Sequence, residues 1–102
     1  MKVFVSTLLL LALAVPAFGS TPLPEPVGFV NDFANVISAE TEASIAQTLT
    51  VFQASTTNEV AVVTISSLGG DYIESYAENL FEKLGIGDEE KDNGILLLLA
   101  IE

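Results

Sequence analysis

The order of apolar and polar positions divides the chain into four regular elements. Ile45, Leu49 and Phe52 fall at i, i+4 and i+7 with Ala46 beside them, which predicts an amphipathic helix over about residues 39–55. Ser38 supplies an N-cap, and Glu40 and Glu42 occupy the first turn, where the helix dipole favours negative charge. After a break at STTN, the run Val60 to Ile65 is short, continuous and rich in β-branched residues, the pattern of a strand buried on both faces. Ser66 to Gly70 then reads as a glycine-containing turn.

The next helix has the cleanest pattern. Ile73, Tyr76, Ala77, Leu80, Phe81 and Leu84 form one unbroken apolar stripe at helical spacing. Asp71 as cap with Glu74 three residues later resembles a capping box, and Gly85 supplies the stop. Ile95 to Ile101 completes the series as a second apolar strand, also expected to be buried on both faces. Helix, strand, helix, strand with apolar strands implies an α/β unit with a mostly parallel sheet. Strands buried on both faces need neighbours and helices on either side, so the chain reads as the front part of a larger domain, truncated after its second strand.

The stretch before these elements is of a different kind. Met1 to Gly19 has a Lys2 start, the apolar core VFVSTLLLLALAV and small residues Ala17 and Gly19 before a cleavage point, the pattern of a secretory signal peptide. The expected product begins at Ser20 and is secreted or periplasmic. Membrane anchoring is expected only if the signal stays uncleaved or a C-terminal segment is missing. Residues 20–28 form a proline-rich N-terminal spacer, and the folded domain is expected over 29–102.

Charge narrows the chemistry. The 102 residues carry 3 basic and 14 acidic side chains, a net charge of −11. Loss of Lys2 with the leader leaves 2 − 14 = −12. A surface this acidic and without arginine repels phosphate backbones, which excludes nucleic acid as a partner and favours cations. The sequence has no cysteine and no histidine, so thiol chemistry and the commonest general base are both absent. Serine–histidine, cysteine–histidine and arginine-clamp catalysis therefore have no residues here.

Carboxylates are what remains. The stretch GIGDEEKDNGILLLL, Gly85 to Leu99, sets four acidic residues against four leucines. Asp88, Asp92 and Asn93 are candidate ligands for a hard cation, Ca²⁺ or alternatively Mg²⁺, which takes carboxylate, amide and backbone oxygens. The stretch is not an EF-hand. With Asp88 at position 1 the glycine falls one place late, and Leu99 stands where the bidentate glutamate belongs. A solvated helix-to-strand connection, with Asp92-Asn93-Gly94 as ordinary turn chemistry, accounts for the same residues. Asp32 has two readings as well, a further cation ligand or the former of an Asx turn before the first helix.

Several of these motifs together resemble a known family. VNDFANVIS (30–38), EVAVVTISSLGG (59–70), YIESYAENLFEKLGIG (72–87) and KDNGILLL (91–98) are similar, in that order, to the TPM domain. The resemblance implies an α/β/α sandwich with a Rossmann-like sheet, in an exported or membrane-anchored protein. It also implies a divalent-cation site for Ca²⁺ and, in some members, a weak acid phosphatase. Matched by position, Asp32, Asp92 and Asn93 are the implied metal residues, with Asp88 as an addition. In the family further strands, a helix and a basic segment follow the leucine strand, so the domain is expected to be incomplete at its C-terminus. The resulting expectation is a Ca²⁺-binding interaction module serving an envelope or membrane-protein partner. A metal-dependent phosphatase and a ligand-free structural domain are the alternatives.

Overall fold

The computed structural model describes residues 23–102. The leader expected over 1–19 and the first residues of the spacer lie outside them. Five elements follow in order: β1 (Val30–Asp32), α1 (Ala39–Thr56), β2 (Glu59–Ile65), α2 (Ile73–Leu84) and β3 (Gly94–Ala100). The strands form one sheet in the order β1-β2-β3, and both pairings are parallel. The chain is α/β, as its pattern implies, but the sheet has three strands where the sequence reading has two. β1 is only three residues long and carries Asn31 and Asp32, so nothing in its composition marks a strand.

Both helix starts are explicit in the hydrogen bonds. Ser38 caps α1, its Oγ accepting from the Thr41 N–H at 3.2 Å. In α2 the expected capping box is absent. The Asp71 N–H closes a turn onto the Leu68 carbonyl, and the Tyr72 carbonyl accepts the first helical bond from the Tyr76 N–H. Tyr72 is therefore the N-cap, and no side chain caps this end. Gly85 ends α2 in the left-handed region at φ 60°, where its amide reaches the Phe81 and Glu82 carbonyls.

The core lies between α2 and one face of the sheet. Val63, Ile65, Tyr76 and Leu80 form a buried cluster, with Leu84, Leu96, Leu98 and Ala100 packed against it. Side chains of opposite parity point to the other face. There Val30 and Thr64 are also buried, and α1, which contacts β1 and β2, is the element that covers them. The helices thus take opposite faces, an α/β/α arrangement.

That arrangement corrects the reading of β3. Its burial alternates, and Ile95, Leu97 and Leu99 are 58%, 59% and 51% exposed. Burial on both faces fails because α1 reaches β1 and β2 and leaves the same face of β3 uncovered among the described residues. α1 itself buries no residue completely, with Ile45 and Leu49 half-covered. No helix among the described residues is long and apolar enough to cross a membrane.

Candidate functional site

The register of the sheet decides which of the expected site residues can act together. Asp32 pairs with Thr64 near the C-terminal end of β2, whereas Gly94, just after Asn93, pairs with Glu59 at its start. The five steps of β2 between Glu59 and Thr64 span about 16 Å. Oxygens sharing one Ca²⁺ lie within about 2.6 Å of it, so Asp32 cannot join Asp88, Asp92 and Asn93 in one centre. The four residues occupy opposite ends of the sheet.

At the C-terminal end, Asp32 holds a turn. Its Oδ1 accepts from the Thr64 hydroxyl at 2.6 Å and from the Val36 N–H at 3.1 Å, and its Oδ2 accepts from the Ile37 N–H at 2.9 Å. Its backbone carbonyl accepts from the Asn35 N–H as well. Asp32 forms a turn before α1, as its second reading has it, but through amides four and five residues on and not through the i+2 amide of an Asx turn, which bonds to Thr64 instead. The Thr64 hydroxyl in turn accepts from the Ala34 N–H at 3.1 Å, so one buried oxygen ties β2 to both sides of the turn. Chiefly through that hydroxyl, and against partial desolvation, the Asp32 carboxyl is held below its ordinary value of 3.8, with the Ile37, Val36 and Asn35 amides adding to the effect.

Two outcomes are expected here. Thr64→Val keeps the shape but removes the acceptor of the Ala34 N–H and the donor to Asp32, at a cost of about 1–3 kcal/mol in a denaturant melt. The pH dependence has a definite sign. Because the native carboxyl titrates below its unfolded value, its contribution is complete above pH 3.8 and is lost as pH falls through the lowered native value. Melting temperatures followed down into acid should therefore fall more steeply for the wild type than for Thr64→Val. Parallel acid limbs would count against the role given to the Thr64 hydroxyl.

At the opposite end, the loop between α2 and β3 is held by Asn93. Its Oδ1 accepts from the Asp88 N–H at 2.6 Å, and its Nδ2 donates to the Thr57 carbonyl just past α1 at 2.8 Å. Its backbone carbonyl accepts from the Glu59 N–H at 2.9 Å. One residue therefore joins the loop, the end of α1 and the start of β2. Asp88 is partly committed too, its Oδ1 accepting from the Glu90 N–H at 2.9 Å. Gly87 and Gly94 pack backbone to backbone, which gives the two glycine motifs of this region a steric reason.

Around this scaffold the acidic side chains divide between two hollows. One is lined by Glu59, Asp88, Glu89 and Glu90, with Gln53 and Thr57 from the end of α1, and Lys91 is its only cation. The other is lined by Asp88, Glu89, Asp92 and Asn93 against Phe81 and Ile86. Asp92, at φ 48°, lines only the second hollow, whereas Asp88 and Glu89 line both. Glu59 is absent from the sequence reading because it stands 29 residues before Asp88, and only the pairing of β2 with β3 places it here. No group of three or more acidic side chains among the described residues closes tightly enough to hold a metal ion by itself.

The donor chemistry of the first hollow nevertheless suits a hard cation. It offers carboxylates and amide oxygens, and α1 ends there with no basic residue in its last turn to offset the negative end of its dipole. An ion held there would need water for much of its shell.

A comparison with curated proteins found no match. The family model described as TPM domain matches residues 30–102, from the first residue of β1 through the whole sheet. That span covers well over half of the chain, and the chain belongs to the TPM domain family.

Proposed function

We propose that this TPM domain is an exported interaction module that takes up a divalent cation, Ca²⁺ before Mg²⁺, at the acidic end of its sheet. The observation that carries the reading is the hollow shared by Glu59, Asp88, Glu89 and Glu90 against the single cation Lys91, where α1 also ends with no basic residue in its last turn. Negative charge from two independent sources favours a cation there and gives an anionic substrate no purchase. The open geometry fits weak binding, with a dissociation constant of about 0.1–1 mM, useful where the ion is abundant outside cells. Residues 1–19 support the exported setting by their leader pattern, and the partner in this reading is an envelope or membrane protein.

The test compares melting of the whole chain in Ca²⁺ and in chelator. At a tenfold excess over the dissociation constant, binding to the native state alone stabilises by about 1.4 kcal/mol, a shift of several degrees in a domain of this size. Glu59→Gln and Asp88→Asn should remove most of the shift, and Glu74→Gln on α2 should leave it intact. Asp32→Asn should lower both melting temperatures and keep the difference between them, because its end of the sheet is remote. If Asp92→Asn abolishes the shift and Glu59→Gln does not, the ion uses the second hollow. Metal-dependent turnover of a generic phosphomonoester would favour the phosphatase alternative, and identical melting in both buffers would leave a structural domain.

A further inference from the structure

We propose that Asn93-Gly94 is a site of spontaneous deamidation, restrained by the folded state, whose product detaches the acidic loop from α1. Of the five asparagines in the chain, Asn93 alone precedes a glycine; the others precede Asp32, Val36, Glu59 and Leu80. The reaction needs the following backbone nitrogen to reach the side-chain carbonyl carbon. A glycine hinders that approach least, since it has no Cβ and the freest backbone.

The step balances without any outside oxidant or reductant. The Gly94 nitrogen attacks Asn93 Cγ, its proton passes to solvent base, and a new N–Cγ bond closes a succinimide. The Cγ–Nδ2 bond breaks and ammonia leaves. Water then opens the ring at either carbonyl, giving aspartate or isoaspartate, so that amide plus water becomes carboxylate plus ammonium.

The fold opposes this chemistry by holding the carboxamide and the backbone on either side of the bond that must turn. The Asn93 carboxamide is fixed at both ends, by the Asp88 N–H and the Thr57 carbonyl, and its backbone carbonyl is fixed by the Glu59 N–H. Gly94 is already committed to β3, where its backbone packs against Ile86 and Gly87. Attack therefore requires the loop to open first, and the native rate is the reactive rate reduced by the population of that open state.

The consequence follows from the same bonds. A carboxylate has no N–H for the Thr57 carbonyl, so the link to α1 becomes a repulsion between two acceptors. The new charge also enters a loop whose hollows already hold Glu59, Asp88, Glu89, Glu90 and Asp92. An isoaspartate would in addition lengthen the backbone next to the tight contact between Gly87 and Gly94.

The experiment incubates the whole chain in mildly alkaline buffer, with and without denaturant, and follows conversion of each asparagine by peptide mapping with isoaspartate detection. Conversion is expected at Asn93 ahead of Asn31, Asn35, Asn58 and Asn79, and at least about tenfold faster when unfolded. The Asn93→Asp variant, which carries the product charge without the chemistry, should melt below the wild type. Equal rates in the two conditions would overturn the restraint by the fold. Faster conversion elsewhere in the unfolded chain would overturn the site, and wild-type melting of Asn93→Asp would overturn the structural consequence.

Discussion

Leu80→Ala is expected to cost about 2–5 kcal/mol, enough to unfold much of the population of so small a domain. Leu80 is 0% exposed and sits where α2 meets Val63 and Ile65 of β2, with Tyr76 one turn away. Leu84, Leu96 and Leu98 close around the same cluster, so the deletion leaves a void with β-sheet backbone on one side. Strands held by their ladder cannot collapse into it, which places the cost toward the upper end. At about 4–8 °C per kcal/mol, the melting temperature should fall by at least about 10 °C. Phe52→Ala on α1 is the comparison. Phe52 is a larger side chain but 39% exposed, and its loss should shift the melt by less. If the two variants melt together, the stability of this domain does not reside in the α2 face of the sheet.

Gly87→Ala is the second substitution expected to have a large effect, for a reason that lies in the backbone alone. A Cβ at residue 87 would lie 2.5 Å from the Gly94 nitrogen and 2.7 Å from the Gly94 Cα. Both are main-chain atoms of a residue paired into β3, so no rotamer change relieves the overlap. Residue 87 also sits at φ +77°, where a side chain is strained even in open space. Gly85→Ala separates the two costs. It has φ +60° and nothing within 4 Å of the added Cβ, so it carries the conformational penalty of about 1–2 kcal/mol without the overlap. Gly87→Ala should therefore destabilise clearly more than Gly85→Ala in matched melts. It should also free the loop, seen as faster amide exchange at Asp88, whose N–H is held by Asn93. Equal melting of the two variants would mean that the loop moves away from β3 at little cost.

These two sites differ in how far the sequence foretells them. The stripe from Ile73 to Leu84 places Leu80 on the buried face of α2 by spacing alone, because a helix repeats its faces at a fixed local period. The start of α1 at Ser38, the end of α2 at Gly85 and the turn held by Asp32 were legible for the same reason. Each has partners within a few residues in the chain, and of the three only the Asp32 turn also depends on a distant one, the Thr64 hydroxyl. The missed cap of α2 is the exception. Asp71 has the right chemistry, but its amide is drawn into the turn from Leu68, and the helix starts one residue later than the pattern suggests.

What the sequence determined by itself is thus the α/β class, the positions of both helices, the two long strands and a surplus of negative charge looking for cations. Only the tertiary structure decided the rest. It recruited Val30 to Asp32 as a strand by pairing them with Val62 to Thr64, since three residues carry no periodicity of their own. It exposed every second residue of β3, because whether a strand face is buried depends on which helix lies over it, and α1 stops short. It parted Asp32 from the acidic loop and brought Glu59 to it, because parallel register fixes which strand ends meet and leaves no trace in the local order of residues.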